Sequence, residues 1–287
     1  MRCQLRKKRM LVAKRCDSPV PPSKQQLAKD LGVSRASLYY HPKQPAKDWH
    51  LKNLLESALA QHPAYGHKRL ALELQVNKKR VLRVMHLFGV KPYRRRGRKW
   101  RKSKDSGHVY SNLLQQIHFP KSARVAWVSD FTHLSFHGRV VYLATVMDIF
   151  DRQIVGWSVL TAHSVQLVLG ALIDAVEKHG RPKALHSDQG SEYKSALYTR
   201  FAAQLGIQLS MSAKGSPWEN GYQESFYDKF KVDLGDPNRF ETVGELTAAL
   251  YLQLHYYNTS RIHTALKMPP ALFAERQQNK VVLTQMS

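Results

Sequence analysis

The sequence predicts an α/β fold, a mixed five-stranded sheet with helices, preceded by small α-helical modules. Three observations predict it. From residue 121 onward, apolar strand-like runs and helix-like segments follow in the order three strands, helix, strand, helix, strand, helix. Before residue 91 the chain reads as short helices separated by Gly, Pro and Ser breaks. The net charge of +24 is unevenly placed: residues 1–120 hold 28 Lys and Arg against 6 Asp and Glu, and residues 121–287 hold 17 against 15. The first stretch has the composition of a polyanion binder and the second that of a nearly neutral folded domain.

A chain of 287 residues can bury a sizeable core and divide into two or three domains. The expected divisions are a basic arm and helix-turn-helix over 1–45, a second helical module over 46–90, a basic linker over 91–120, the α/β core over 121–275 and a tail over 276–287. The two cysteines, Cys3 and Cys16, have no Cys or His partner at zinc-site spacing, and free thiols suit a reducing cytoplasm. The start, Met1-Arg2-Cys3-Gln4-Leu5-Arg6, lacks the apolar stretch of a signal peptide, and no run approaches the ~18 apolar residues of a membrane span. The expectation is a cytoplasmic protein without a membrane partner.

Taken in order, Pro19-Val20-Pro21-Pro22 is a stiff break, and Ser23 can cap a helix from Lys24 to Asp30. Leu31-Gly32-Val33-Ser34 then leads into a short helix, Arg35 to Tyr40, stopped near Pro42. Ala28 in the first helix, Gly in the turn and Ser at the second cap fit a helix-turn-helix, although an ordinary helical hairpin shares the pattern. A helix from Trp49 to Gln61 ends at His62-Pro63, Tyr65-Gly66 marks a turn, and helices His67 to Gln75 and Asn77 to Phe88 follow. In the last of these Val81, Val84, Met85 and Phe88 share one face, while Lys79, Arg83 and His86 lie on the opposite one. An apolar inner stripe with a basic outer stripe suits a DNA-facing helix; a solvated basic face looks the same. Arg35, Lys68, Arg69, Lys78 and Arg80 are the other candidate DNA contacts of the helical modules. In the linker, Arg94, Arg95, Arg96 and Arg98, with Tyr93 and Trp100 interleaved, are expected to follow phosphates without a fixed scaffold.

In the core, Val125 to Leu134, Val140 to Met147 and Ile154 to Leu160 read as strands, with Gly138 in the first turn. Val165 to His179 reads as a helix, Ala184 to Ser187 as a strand, Ala196 to Leu205 as a helix and Ile207 to Met211 as a strand. A helix over Glu219 to Leu234 and a long one over Val243 to Tyr257 complete the order, which is that of the RNase H-like fold. On this frame Asp130 sits inside the first strand, Asp188 at the end of the fourth and Glu224 on a helix, with 35 residues between the last two. Two strand ends and a helix can bring three acids to one point, where they repel unless a cation neutralises them. Hard oxygen ligands suit Mg²⁺ or Mn²⁺, and two such ions can activate a nucleophile and stabilise a leaving oxygen on phosphorus. With the basic N-terminal region, the residues point to a metal-dependent phosphoryl-transfer enzyme on nucleic acid. Asp148 and Asp151 read as structural or turn residues, Asp228 as a neighbour of Glu224, His186 as a buried or turn histidine, and Ser187 and Ser191 as hydrogen bonders rather than nucleophiles.

Several motifs resemble those of one family. Trp127-x-x-Asp130-x-Thr132 carries the first acid, His186-Ser187-Asp188-Gln189-Gly190-Ser191-x-Tyr193 the second, and Glu224-Ser225-Phe226 the third. Tyr65-Gly66, Asn77-Lys78-Lys79-Arg80-Val81, Asn112-Leu113-Leu114 and Tyr257-Asn258-x-x-Arg261-x-His263-x-x-Leu266 extend the match over roughly residues 25–275. The chain resembles the OrfB-type transposases of the bacterial IS-three insertion sequences, a branch of the retroviral-integrase-like DDE enzymes. Three positions depart from the family pattern: Glu219-Asn220, Asp151-Arg152 and Lys231-Val232-Asp233.

The resemblance implies a DDE integrase-type core that binds double-stranded DNA at the element's terminal repeats and joins 3′-OH ends to target DNA. It implies a copy-out, paste-in route, a partner from the upstream (OrfA) reading frame, a homo-oligomeric working form and a nucleoid-associated bacterial setting. It also places Lys214, Lys231, Arg261 and His263 beside the acids as DNA contacts. Two rivals share the fold: a DNA-binding regulator without catalysis, and a structure-selective nuclease that cleaves without strand transfer.

Overall fold

Burial along the strand from Ala126 to Phe136 (β1) shows where it lies. Ala126 to Ser129 are buried in succession, as in a strand covered on both faces, whereas from Thr132 onward buried and exposed residues alternate. The computed structural model describes residues 23–286 apart from 31, 40–42, 94–109, 118–119 and 214–219. The basic arm, both cysteines, the linker residues Arg94, Arg95, Arg96 and Arg98, and Lys214 and Glu219 lie outside the described residues.

The described elements run in chain order. Helices α1 (Lys24–Asp30), α2 (Arg35–Tyr39), α3 (Gln44–Gln61), α4 (His67–Glu73), α5 (Lys78–Phe88) and the single turn α6 (Leu114–Ile117) come first. Then follow β1, β2 (Arg139–Asp148), β3 (Ile154–Leu160), α7 (Val165–His179), β4 (Ala184–Ser187), α8 (Ser191–Lys194), α9 (Ala196–Gln204), β5 (Gln208–Met211), α10 (Gly221–Leu234), α11 (Val243–Thr259) and α12 (Pro270–Met286). The sheet order is β3-β2-β1-β4-β5. β1 and β2 form an antiparallel hairpin closed at His137-Gly138, both with positive φ, which matches the twist of the strands and suits Gly at the second position. β3 adds antiparallel to β2, and β4 and β5 add parallel to β1 and β4 through the helical crossovers. This is the predicted RNase H-like order.

Each sheet face is covered. On one, Val128, Leu134, Leu143 and Met147 pack with Phe226, Tyr227 and Phe230 of α10 and Leu246, Leu250 and Leu254 of α11. On the other, Trp127, Ala144 and Val146 pack with Leu167, Val168, Ala171 and Leu172 of α7 and with Tyr193, Tyr198 and Ala202. Gly156 of β3 is where α7 comes closest: a Cβ there would lie 2.4 Å from the carbonyl oxygen of Ala171. Asp148 holds the edge of this layer together, its carboxylate accepting from Arg124 N, Trp127 Nε1 and Phe150 N.

The chain divides into two compact units, residues 1–51 and 52–287, with the boundary inside α3. In the first, Ser23 Oγ accepts from Gln26 N, as expected of a cap on α1, and Gly32, at φ 59°, turns α1 into α2, with Ala28 buried in α1. In the second, α5 is capped by Asn77, whose Oδ1 accepts from Lys79 N, and is ended by Gly89 at φ 69°. Val81, Val84 and Met85 point inward, as the period predicted. This helical module is bonded to the C-terminal part of the core: Ile262 N donates to Tyr65 Oη, and Arg69 Nε donates to the carbonyl of Ile262.

Four of these elements differ from the sequence expectation, the first being α6, a single turn inside the expected linker. α3 begins at Gln44 and not at Trp49, because Pro45 falls in the first turn, where a missing N–H costs nothing. Ser191–Lys194 forms an extra single helical turn after Asp188. The expected tail is the end of a 17-residue helix, α12, opened by Pro270. Among the described residues, no helix is long and apolar enough to cross a membrane.

Candidate active site

Asp130 lies where β1 passes from full burial to alternation, opposite Thr145 of β2, and is half-buried. Its Oδ1 accepts from Phe131 N at 2.8 Å. Burial pushes its carboxyl up to about 8; Asp188 and then Glu224 add to the rise, and Lys231 works against it. Asp188 leaves the end of β4, next to β1, with its Oδ1 accepting from Gly190 N at 2.9 Å. Burial raises its carboxyl, and Glu192 raises it further. Glu224 is exposed in the first turn of α10, its carboxyl raised by burial and by Asp228 four residues on. Asp188 and Glu224 thus both act on Asp130, whereas the neighbouring charges that raise Asp188 and Glu224 are Glu192 and Asp228.

The helix that carries Glu224 is fastened to the sheet by polar groups. Gln223 is fully buried: its Nε2 donates to the carbonyls of Val128 and Thr145, and its Oε1 accepts from Thr145 Oγ1. Tyr227 Oη donates to the carbonyl of Asp130 at 2.8 Å and lies 2.8 Å from Thr145 Oγ1. One turn of α10 is thus tied to the backbone on either side of Asp130, which sets the height of Glu224 over the sheet.

Three carboxylates all raised above their ordinary values, two of them acting on the third, are a donor set that fits a divalent cation. Among the described residues, no three His, Cys, Asp or Glu side chains stand close enough to form a finished metal cage.

The other expected residues sort clearly. His186 is fully buried in β4 with its Nδ1 2.8 Å from Ser210 Oγ. Ser187 Oγ donates to the carbonyl of Asp188, and Ser191 Oγ donates to Glu192. Asp151 takes Gln153 N in a tight turn. Arg35, Lys68, Lys78, Lys79, Arg80 and Arg83 are exposed. Lys231 is close enough to Asp130 to act on its charge. Arg69, Arg261 and His263, expected along a DNA-facing surface, turn inward and line one cavity.

Two residues were missed in the sequence. Gln223 stands next to Glu224 but reads as an ordinary surface glutamine. Glu192 is buried beside Asp188, paired with His163 at 3.1 Å; its position four residues after Asp188 was the signal available.

The integrase core domain family matches residues 120–217, and a second integrase core domain family matches residues 205–270. A transposase for insertion sequence element IS904 of Lactococcus lactis is 33% identical over 257 residues, covering 85% of this chain and 93% of that protein. Transposase InsF for insertion sequence IS3A of Escherichia coli is 31% identical over 159 residues, covering 54% of this chain and 55% of that protein. Among solved structures, a chain of the simian T-cell lymphotropic virus intasome, in complex with PP2A regulatory subunit B56 gamma, aligns with a TM-score of 0.47 at 17% identity, covering 77% of this chain and 74% of that one.

Proposed function

The chain belongs to the IS-three family of DDE transposases, enzymes of phosphoryl transfer on DNA, and on that premise we propose that Asp130, Asp188 and Glu224 are its catalytic acids. The observation that carries the assignment is the electrostatic convergence of Asp188 and Glu224 on Asp130. The three would hold Mg²⁺ or Mn²⁺, the hard divalent ions that carboxylate oxygens suit. When bound, such ions lower the pKa of the attacking hydroxyl and take up charge on the departing 3′-oxygen.

The chain's own groups do the rest. Gln223 and Tyr227 fasten α10, which carries Glu224, to the sheet beside Asp130. Lys231 sets a positive charge near the acids, where a scissile phosphate needs one. Ser187 and Ser191 are occupied as donors to Asp188 and Glu192, which agrees with direct in-line attack by water or by a DNA 3′-OH, without a covalent protein intermediate. We further propose terminal-repeat recognition by the helical modules through exposed Lys79 and Arg83. Because two ends must be held together, the working form is a homo-oligomer, and an OrfA-type partner and a nucleoid setting fit the same reading.

The test is to incubate the chain and its variants with DNA bearing the element's own terminal repeats and map the products. Asp130→Asn, Asp188→Asn and Glu224→Gln are each expected to lower cleavage by roughly a thousandfold or more while leaving DNA binding intact, a loss of about 4 kcal/mol at the transition state. Near-normal cleavage by one variant removes that residue from the set. Cleavage without joining of 3′-OH ends would support the nuclease reading instead.

A further inference from the structure

Four cationic side chains, Arg69, Arg152, Lys229 and Arg261, line a cavity of about 370 Å³ together with Tyr222 and His263. They come from separate parts of one unit: α4, the turn between β2 and β3, α10, and the segment after α11. Arg261 and Arg152 are only 3% and 9% exposed. Buried guanidinium groups are costly unless each donor is met. Here they are met in part. Arg261 Nε donates to Asp233 Oδ2, Arg69 Nε donates to the carbonyl of Ile262, and the guanidinium of Arg152 lies 4.1 Å from the centre of the Tyr222 ring. Among the described residues, Arg152 Nη1, Arg261 Nη2 and His263 Nδ1 have no hydrogen-bond partner.

The charges are unbalanced too: against the four cations stand Asp233, which pairs with Arg261, and Asp148 and Asp151, which both feel Arg152, the carboxyl of Asp151 being pushed up to about 7 by burial and Asp148. Burial, and then Arg152, Arg69 and Arg261 together, hold the His263 imidazole down at about 4, so that it is neutral near pH 7. Burial and Arg261 likewise lower Arg69. Arg152 also sits at φ 65°, a left-handed conformation that Gly or Asn adopts at lower cost. A concave site with unmet guanidinium donors, excess positive charge and a neutral imidazole suits a tetrahedral oxyanion.

We propose that this cavity is a phosphate site, and that the phosphate belongs to the bound DNA, held at the junction between the second helical module and the catalytic core. The proposal rests on the chain acting on DNA and not on the assignment of the three acids, because its readouts need no cleavage.

The test uses the full chain with two probes. In the first arm, thermal unfolding is followed with and without inorganic phosphate, against chloride at equal ionic strength. Wild type is expected to gain several degrees. Arg152→Asn, which suits the left-handed backbone, and Lys229→Gln, on a partly exposed helix face, are expected to lose most of that gain without a lower melting point in chloride. Arg200→Gln, an exposed arginine on α9 outside the cavity, keeps it. In the second arm, a labelled random-sequence duplex is titrated at several salt concentrations. Loss of one phosphate contact lowers the logarithmic salt slope by about 0.9, and both cavity variants are expected to show that drop. A gain in phosphate that vanishes in the variants while their DNA slope equals that of wild type overturns the DNA assignment in favour of a free phosphate. A fall in melting point in chloride with no phosphate effect in any form overturns the site and makes the arginines structural.

Discussion

Two aspartates outside the proposed active site, Asp148 and Asp151, show how little a carboxylate's position in the sequence says about its role. Asp148 accepts three N–H groups, from Arg124, Trp127 and Phe150. Asparagine there would turn an N–H toward a donor, so Asp148→Asn tests folding and is a poor neutral control for the catalytic variants. Asp151 is different. Its carboxyl is pushed up from 3.8 to about 7 by burial and by Asp148. A raised carboxyl pKa means that the folded chain holds the proton more tightly than the unfolded one. The associated stability is present below about pH 4 and is lost as the pH rises through about 7, by up to roughly 4 kcal/mol. Asp151→Asn keeps the acceptor for Gln153 N and removes the ionisation. The variant is expected to match wild type near pH 4 and to exceed it at pH 8 in urea unfolding; parallel pH curves would take this role away from Asp151. The three proposed acids stood out in the sequence because each lies in a recognisable motif. Gln223, Glu192 and Arg152 did not, because burial decides what they do, and burial of a polar side chain leaves no periodic mark in a sequence.

At the scale of elements, the strands were legible because central strands are continuous apolar runs and β3 and the hairpin are bounded by turn residues. The helices were legible where an apolar stripe meets a cap, as in α5 and α7. What escaped was the start of α3, hidden by a proline that belongs to its first turn, the single turn α8, too short to show a period, and α12, whose second half is mostly polar. α10 carries the proposed acid Glu224, and its inner face mixes Gln223 with Phe226, Tyr227 and Phe230. Gln223→Leu would fill the same space while abandoning the bonds to Val128, Thr145 and its hydroxyl. The expected cost is about 1–3 kcal/mol of stability, with a cleavage rate lowered at least tenfold and DNA affinity nearly unchanged, because Glu224 loses its fixed height over the sheet. Equal losses in cleavage and in DNA binding would mean that α10 is held by its apolar residues alone. Restoration of cleavage by Gln223→Glu at low pH, where the protonated acid can still donate, would separate the hydrogen bond from mere bulk.

For the whole molecule the governing quantity is the placement of charge. The composition divides at residue 121, but the structure divides at Leu51, and the second helical module is bonded to the core through Tyr65, Arg69 and Ile262. A cut near residue 104 would sever those bonds, so charge and folding do not share a boundary. A shortened chain that begins at Gln44 keeps α3 whole. It loses 11 Lys and Arg and 2 Asp and Glu, a change of −9, and keeps the basic residues of 44–120. If phosphate neutralisation dominates binding, six contacts give the full chain a loss of affinity of about a thousandfold between roughly 50 and 200 mM salt. The shortened chain should still bind random-sequence DNA, with a shallower slope, each lost contact flattening it by about 0.9. Replacing Arg94, Arg95 and Arg96 in the full chain should weaken end DNA and scrambled DNA alike, whereas replacing Lys79 and Arg83 should narrow the gap between them, because base contacts discriminate and phosphate contacts do not. A shortened chain with an unchanged slope would show that the first 43 residues, for all their charge, touch no phosphate, and would move recognition wholly onto the unit that also carries the catalytic core.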